Sequence, residues 1–328
     1  MNLRSRSAAV GVAAALVFGA LGCGSGAGHA SDSDSAAAVA DDSMGVAPIE
    51  EATVRVRSRR NLRESSALAM SIDQPGVLFT INDSGNEAVL FAVDTTGADR
   101  GTWRVRGATN VDWEALAIGP CGPNAAPRCL YVGDVGDNEA HHSTRTVYRV
   151  PEPRARDSSF SGTTTAERVT FHYDDGRHDV EAMYVAANAD VYLITKRALV
   201  MAPPKLRPAL VFRIPASAWR GKRNIIATLV DSLSLIPGSA PLRTITDASL
   251  SADGRHIGVR TYTQLFVYAA DSATGRVNGS IAPAICDLTP LGEAQGEGLA
   301  WVESSGRFAF SSEGRAAPLH IATCPLPQ

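Results

Sequence analysis

The chain has 328 residues, of which 45% are hydrophobic, so it is long enough for one large or two small globular domains with a substantial core. Its formal net charge of −3 is too small to indicate binding to nucleic acid or to an anionic surface. Composition alone therefore points to an ordinary globular protein without a polyanionic partner.

The N-terminus has the pattern of an export signal. Arg4 and Arg6 precede an apolar run from Ala8 to Leu21, which is too short to span a membrane as a helix. The run leads to Cys23 and a stretch rich in Ser, Gly, Ala and Asp, which resembles a bacterial lipoprotein signal followed by a disordered tether. The predicted segments are a signal peptide at 1–22, a lipidated cysteine with its tether at 23–50, and a folded domain at 51–328.

The cysteines indicate an oxidising compartment. Exported chains favour disulfides, and four cysteines remain when Cys23 is set aside. Cys121 and Cys129 flank a seven-residue loop between two apolar runs and are expected to pair, which leaves Cys286 with Cys324. A zinc site is the alternative, but no CxxC or HxxxH pattern lies near them. We expect an extracytoplasmic protein, either anchored to the cell membrane only through a lipid on Cys23 or freely secreted.

Two motifs recur in alternation along the folded part of the chain, where short β-type runs are separated by turn signals and no long amphipathic helix is evident. The first motif is a polar or acidic residue leading into a small-residue apolar run. It occurs in RESSALAMSI, VDWEALAIG, HDVEAMYVA, ITDASLSADG and GEGLAWVES. The second is an apolar run that ends in a charged residue. It occurs in VLFTIND, CLYVGD, VYLITK, IGVR and FAFSSE.

The spacing of these motifs predicts an all-β fold, a five-bladed β-propeller. Further apolar runs follow each pair of motifs and give four strands per unit, except in the last unit, which has one strand too few. Residues Ala52–Ser58 are predicted to supply that strand, which would close the ring and cover an open edge. Six blades or a β-sandwich are the alternatives, although a sandwich does not explain paired motifs at near-regular spacing.

Both motifs are predicted to meet at one mouth of the central channel, because the first strand of a blade starts where its antiparallel second strand ends. Carboxylates dominate that mouth, and so many together need a bound cation, basic partners or retained protons. Oxygen ligands from loops suit Ca²⁺, whereas the alternative is that these residues only cap turns. The predicted metal ligands are Asp83, Asp112, Glu114, Asp134, Asp137, Asp247 and Glu313.

Two basic residues interrupt the acidic ring. Lys196 and Arg260 stand where other repeats carry acids. A basic pair opposite a bound metal is suited to holding a phosphate-like anion, so these residues, with Glu181 and Glu297, are the predicted catalytic residues of a metal-dependent phosphoester hydrolase. The alternative is that they form ion bridges to Glu181 and Asp247 that stiffen the channel.

The motifs ESSALA, DWEALA, GDVGDN, DGRHDVEAM, ITK, SADG and GEGLAW resemble a group of uncharacterised secreted bacterial β-propeller lipoproteins. They resemble the phytase-like and esterase-like-of-phytase propellers more loosely. The resemblance covers about residues 51–328 and implies a propeller in which calcium bridges acids to phosphate, with Lys and Arg assisting. No full phytase motif can be placed on the chain, so the resemblance carries over fold better than activity.

Two functions remain open at this point: a metal-dependent phosphoester hydrolase, and a non-catalytic binding propeller with a structural cation. Glycoside hydrolysis by a carboxylate pair is a third, but a clear aromatic platform for a sugar is lacking. The sequence has no GxSxG, HExxH or P-loop motif to support a serine esterase, a zincin or a nucleotide triphosphatase. We expect a monomer with a small-molecule or phosphorylated substrate and no nucleic-acid partner.

Overall fold

The computed structural model describes residues 46–47, 50–55, 62–123, 127–196, 208–221, 224–233 and 244–328. The predicted signal peptide, Cys23 and most of the predicted tether lie outside these ranges. Within them the regular structure consists of β-strands and two short 3-10 helices, with no α-helix. None of the helices described is long and apolar enough to cross a membrane.

The described residues form 22 strands, most of which bury nearly every side chain because they consist of continuous runs of apolar and small residues. They are β1 (Val46–Ala47), β2 (Glu50–Arg55), β3 (Ser65–Met70), β4 (Val77–Asn82), β5 (Val89–Asp94), β6 (Asp99–Arg106), β7 (Trp113–Pro120), β8 (Arg128–Asp134), β9 (Arg145–Pro151), β10 (Ser161–Thr165), β11 (Glu167–Tyr173), β12 (Val180–Val185), β13 (Val191–Thr195), β14 (Ala209–Ile214), β15 (Ile225–Leu233), β16 (Ile245–Leu250), β17 (His256–Thr261), β18 (Gln264–Ala269), β19 (Ala284–Asp287), β20 (Gly296–Glu303), β21 (Arg307–Ser312) and β22 (Pro318–Thr323).

Within the described residues these strands group into five antiparallel meanders of four. Meander 1 is β3–β6, and meander 2 is β7, β8, β9 and β11. Meander 3 is β12–β15, and meander 4 is β16–β19. Meander 5 is β20–β22 completed by β2, which pairs with β22.

The first strands of the meanders form a closed ring. In the order β3, β7, β12, β16 and β20, each contacts the next, and β20 contacts β3 again. Each of these inner strands stands at the end of its sheet, so its second edge faces the centre of the ring. This is the arrangement of a β-propeller, and the predicted all-β propeller class is confirmed.

The hydrophobic core is divided among the interfaces between neighbouring meanders. One cluster, for example, joins Tyr184 and Tyr192 of meander 3 to Ile257 and Phe266 of meander 4. Each of the other four clusters likewise joins two consecutive meanders around the ring. Packing between meanders therefore holds the inner strands, and the side chains at their ends, in fixed positions.

The outer edges of the meanders are covered by strands from elsewhere in the chain. β2 completes meander 5, as predicted, although it spans Glu50–Arg55 and residues 56–58 lie outside the described ranges. β10 pairs in parallel with β6, and β1 pairs in parallel with β19. β11 and β15 pair in parallel and join meanders 2 and 3 into one eight-stranded sheet. These pairings leave fewer open edges for contact with other chains.

Both predicted disulfides are present. Cys121–Cys129 closes the hairpin between β7 and β8, so it is local to meander 2. Cys286–Cys324 links β19 to the residue that follows β22, so it joins meanders 4 and 5. The predicted pairing of the four cysteines is therefore confirmed.

Candidate functional site

A β-bulge near the start of every inner strand sets the side chains of the channel mouth. At each bulge the pairing with the second strand skips one residue, and all five skipped residues are buried. Bulges of this kind re-aim a side chain and commonly lie beside functional sites. The skipped residues are Ser66, Glu114, Glu181, Thr246 and Glu297.

The first sequence motif aligns Asp247 with Glu114, but Asp247 does not occupy the bulge position in the structure. The register of β16 gives that position to Thr246 and places Asp247 one residue deeper, fully buried opposite Arg260. Its carboxylate accepts hydrogen bonds from the backbone N–H groups of Leu68 at 3.2 Å, Ala248 at 2.8 Å and Leu299 at 2.7 Å. Asp247 therefore joins three inner strands in the middle of the channel rather than lying with the acids of the mouth.

The charged residues of the second motif do not all occupy equivalent positions at the ends of the second strands. Asp83, Lys196 and Glu313 each directly follow a second strand and occupy equivalent positions. Asp134 is still the last residue of β8, and Arg260 is the last but one of β17. Arg260 is therefore not equivalent to Lys196, because its position is two residues deeper in the channel.

The two basic side chains predicted to be catalytic, Lys196 and Arg260, form ion pairs with different carboxylates. Lys196 Nζ lies 2.6 Å from Glu181 Oε1, which is one of the two ion bridges of the alternative interpretation, and 3.2 Å from the side-chain oxygen of Asn138. Arg260 is fully buried and forms an ion pair with Glu293. Its Nη1 also donates to the backbone carbonyls of Gly298 at 2.7 Å and Ser311 at 3.2 Å.

These contacts determine whether each basic side chain is available to bind an anion at the mouth. The Lys196 side chain is 23% exposed and faces the acids. The Arg260 guanidinium holds the wall of the channel and does not face Lys196 across an open space. The structure therefore does not assemble the anion-binding pair that the sequence suggests.

Three of the predicted metal ligands come together. One carboxylate oxygen from each of Asp83, Asp112 and Glu114 lies within 4.8 Å of the other two. The loop after β8 packs directly over them, since a Cβ added to Gly136 would lie 2.5 Å from Asp112 Oδ2 and 2.6 Å from Glu114 Cγ. Only glycine permits this approach, which explains the second glycine of the GDVGDN motif.

The charges of this cluster are poorly compensated by the protein. Burial raises the pKa of Glu114 well above its ordinary value, and the nearby carboxylates of Glu181, Asp83 and Asp112 raise it further. Burial, together with the charge of Asp83, raises the pKa of Asp112 to about 6. No donor among the described residues forms a hydrogen bond to the Glu114 carboxyl, and Lys196 provides the opposing charge. A bound cation would remove this repulsion.

Asp134 and Asp137 are already occupied by backbone donors. Asp134 accepts a hydrogen bond of 2.7 Å from the N–H of Asp112. Asp137 accepts from the N–H groups of His141 at 2.8 Å and His142 at 3.1 Å, and it also contacts the His142 ring. The local bonds of Asp137 fit the turn-capping alternative, whereas Asp134 bonds to the residue that precedes β7.

A second acidic cluster lies on meanders 4 and 5, and meander 5 is next to meander 1, which carries Asp83. The Gln295 amide donates to Glu297 at 3.0 Å and to Glu313 at 2.8 Å, and the Tyr262 hydroxyl donates to Glu297 at 3.3 Å. Burial, only partly opposed by the bond from Gln295, raises the pKa of Glu297 to about 7. A carboxyl group with such a pKa is able to give or take a proton near neutral pH.

Several residues of the mouth lie outside the predicted metal-binding and catalytic sets. Arg145, the buried first residue of β9, lies with its Nη2 4.0 Å from Asp112 Oδ2. Asp179 accepts a 2.6 Å hydrogen bond from the N–H of Asp137 and precedes Glu181 by two residues, as Asp112 precedes Glu114. That repeat was a usable signal for Asp179. Arg145 and Glu293 lie outside both motifs, and nothing in the sequence marks them.

The raised pKa of Glu297 leads to a testable pH dependence. The folded protein retains a proton on Glu297 up to about pH 7, whereas the unfolded chain loses it near pH 4.5. The contribution of this group to the free energy of unfolding is therefore most favourable below pH 4.5 and falls as the pH rises to 7. We expect this group to contribute on the order of 3 kcal/mol of destabilisation by pH 8, and Glu297→Gln to remove that part of the slope. Urea unfolding in EDTA from pH 5 to pH 8 measures it. An unchanged slope in the variant would contradict the assignment.

Comparison with known proteins finds similar solved structures but no family. No protein-family model matches the sequence, and no curated protein matches it. A solved structure of Myxococcus xanthus glutaminyl cyclase is 13% identical, covers 85% of this chain and 99% of its own, and has a TM-score of 0.45. Streptogramin B lyase is 8% identical, covers 84% and 98%, and has a TM-score of 0.37. A luciferin-regenerating enzyme is 6% identical, covers 84% and 95%, and has a TM-score of 0.45. The activities of these proteins are not transferred to this chain.

Proposed function

We propose that the protein is an extracytoplasmic, five-bladed β-propeller that binds a divalent cation, Ca²⁺, at the acidic mouth of its channel. The five meanders are its blades. Two disulfides suit an oxidising compartment, and a lipid on Cys23 is the proposed means of attachment to the membrane. The observation that carries the proposal is Glu114, which is 7% exposed, has no hydrogen-bond donor among the described residues and lies in a cluster of three carboxylates.

The donor set favours a hard cation. Asp83, Asp112 and Glu114 offer only carboxylate oxygens, and neither histidine nor cysteine belongs to the cluster. Asp83 and Asp112 are only partly buried, so water is able to complete a coordination shell of the size that Ca²⁺ prefers. Asp134, Asp137 and Glu313 remain proposed contributors to the field around the ion, since the first two hold the loop in place and the third faces Asp83.

Hydrolysis of a phosphoester is the second candidate function, and the position of Lys196 favours it. Its ammonium group lies among Glu181, Asp179 and Glu114, beside the proposed cation and partly open to solvent. An anion bound to the cation would have this basic group near it, with Glu297 as a proton donor. Turnover of p-nitrophenyl phosphate that requires Ca²⁺ and is lost in Lys196→Met would support an enzyme, and no turnover in the wild type would leave the binding function.

Calcium is expected to stabilise the wild-type protein. At a concentration 100 times the dissociation constant, binding adds about 2.7 kcal/mol to the free energy of unfolding, which raises the melting temperature by several degrees. Glu114→Gln is expected to abolish this response while leaving the metal-free protein at least as stable, because it removes a buried carboxyl group whose pKa is raised on folding. Thermal unfolding in EDTA and in Ca²⁺ measures both effects.

A matched control and a contradicting result are available for the calcium experiment. Asp157→Asn changes an acid whose side chain bonds only to Ser159 in an exposed turn, so it should keep the full calcium response. A wild-type melting temperature that no divalent cation changes would overturn the cation site. An equal response in Glu114→Gln would place the ion elsewhere.

A further inference from the structure

The end of the channel opposite the acidic mouth holds a cavity of about 640 Å³. It is lined by the last residues of all five inner strands and by the turns that follow them, whereas the acidic mouth is formed by the first residues of the same strands. A volume of this size is typical of sites for small molecules. Neither proposed function uses it.

The cavity is closed at its inner end. Leu68 and Ala248 line it, and the backbone N–H groups of both donate to the buried carboxylate of Asp247. Asp247 therefore separates the cavity from the acids of the other mouth. The lining extends along β3 from Leu68 to Met70 and continues into the turn that follows this strand.

Apolar side chains and one arginine share the outer part of the cavity. The apolar side chains that are partly exposed in the lining include Met70, Ile118 and Leu250. The outer part also includes Arg128, whose backbone pairs with that of Pro120 at the last position of β7, so it lies at the open end. A ligand in this part of the cavity would contact apolar side chains with its body and Arg128 with one end.

Among the ionisable residues of the lining, Arg128 stands apart. Arg307 is paired with Glu303 at 2.9 Å, and Asp253 accepts hydrogen bonds from Ser251 Oγ at 2.6 Å and from the N–H of Arg255 at 3.0 Å. The Arg128 side chain forms no hydrogen bond or ion pair with the described residues. One positive charge at the opening is thus left for a ligand.

We infer that this cavity binds an amphiphile with an apolar body and one anionic end group, its body packed on the apolar side chains of the lining and its anion on Arg128. A guanidinium binds a carboxylate or phosphate through two parallel hydrogen bonds, which suits an end group held at the opening. The apolar body supplies most of the affinity by leaving water. This inference does not depend on the cation site, so either is able to fail alone.

Titration calorimetry of the full-length protein in EDTA tests the inference with decanoate as the probe. The wild type is expected to bind one decanoate per chain. Decanol and decyltrimethylammonium are expected to bind about tenfold more weakly or worse, because they lack the anion for Arg128. Absence of saturable decanoate binding would overturn the site, and equal binding of the cationic probe would overturn the role of Arg128.

Three variants locate the binding on the molecule. Arg128→Gln is expected to weaken decanoate at least tenfold while leaving decanol unchanged, whereas Arg168→Gln on the outer strand β11 should have no effect on either. Ala187→Trp places a large ring at the exposed edge of the cavity, where misfolding is not expected, and should abolish binding of both. Wild-type affinity in Ala187→Trp or in Arg128→Gln would contradict the inference. Thermal unfolding of both variants at the temperature of the wild type would show that they are folded.

Discussion

Replacing Asp247 with alanine is expected to lower the free energy of unfolding by at least about 3 kcal/mol, because three buried N–H groups lose their acceptor and each costs about 1–3 kcal/mol. These groups belong to Leu68 on β3, Ala248 on β16 and Leu299 on β20, so the loss loosens three inner strands at once. Urea unfolding followed by tryptophan fluorescence at pH 7 measures the change.

Asparagine at the same position provides a graded test. Leu68 and Leu299 both donate to Oδ2 of Asp247, so the side-chain oxygen of Asp247→Asn is able to keep two of the three hydrogen bonds. We expect this variant to lie between the wild type and Asp247→Ala. Asp271→Ala is the matched control, since Asp271 also accepts bonds from the backbone of Ala273 and Thr274 but in an exposed turn where water replaces it. If Asp247→Ala were no less stable than the control, the carboxylate would not be the structural centre of the channel.

Replacing Arg260 with methionine is expected to have a similarly large effect, about 3–5 kcal/mol. The change leaves Glu293, whose side chain is 4% exposed, without its ion-pair partner, and it removes the donor to the carbonyls of Gly298 and Ser311. Gly296 makes the pair possible, because a Cβ there would lie 1.7 Å from Arg260 Nη2. Chemical unfolding again measures the loss.

A second substitution separates the buried charge from the packing. In Arg260→Met with Glu293→Gln no charge is left uncompensated, so we expect the double variant to regain part of the lost stability. Arg307→Met breaks the exposed pair with Glu303 and should change stability by less than about 1 kcal/mol. If Arg260→Met behaved like Arg307→Met, the buried pair would have no special structural role.

The fold was predictable from sequence because its information is repeated. Five copies of the two motifs, each with short apolar runs and turn signals, are enough to indicate strands, their number per unit and the closing strand β2. The disulfides followed from cysteine spacing and the hairpin that contains Cys121 and Cys129. Each of these signals is local or periodic in the sequence, so these predictions did not require knowledge of contacts between distant residues.

The candidate site was predictable only in part, because a β-bulge does not show in the sequence. In the sequence, an acidic residue followed by alanine occurs in both ITDASL and DWEALA, which aligns Asp247 with Glu114. In the structure the bulge of β16 falls on Thr246, so Thr246 is the residue equivalent to Glu114. Arg260 aligns with Lys196 in the sequence motifs, but in the structure it lies two residues deeper in the channel and is fully buried. The residues that partner these groups, Glu293 and Arg145, lie outside the repeats, so their contacts depend on tertiary packing alone.

The two disulfides would form at different stages as the chain acquires its structure. Cys121 and Cys129 meet as soon as one hairpin exists, whereas Cys324 reaches Cys286 only after the last strands have docked on meander 4. Meander 5 itself is incomplete until β2, from the other end of the domain, pairs with β22. Until then the chain presents an unpaired edge that invites association with other chains. Formation of the Cys286–Cys324 disulfide therefore reports that meanders 4 and 5 have docked. Trapping free thiols at successive times during refolding would measure when this docking occurs.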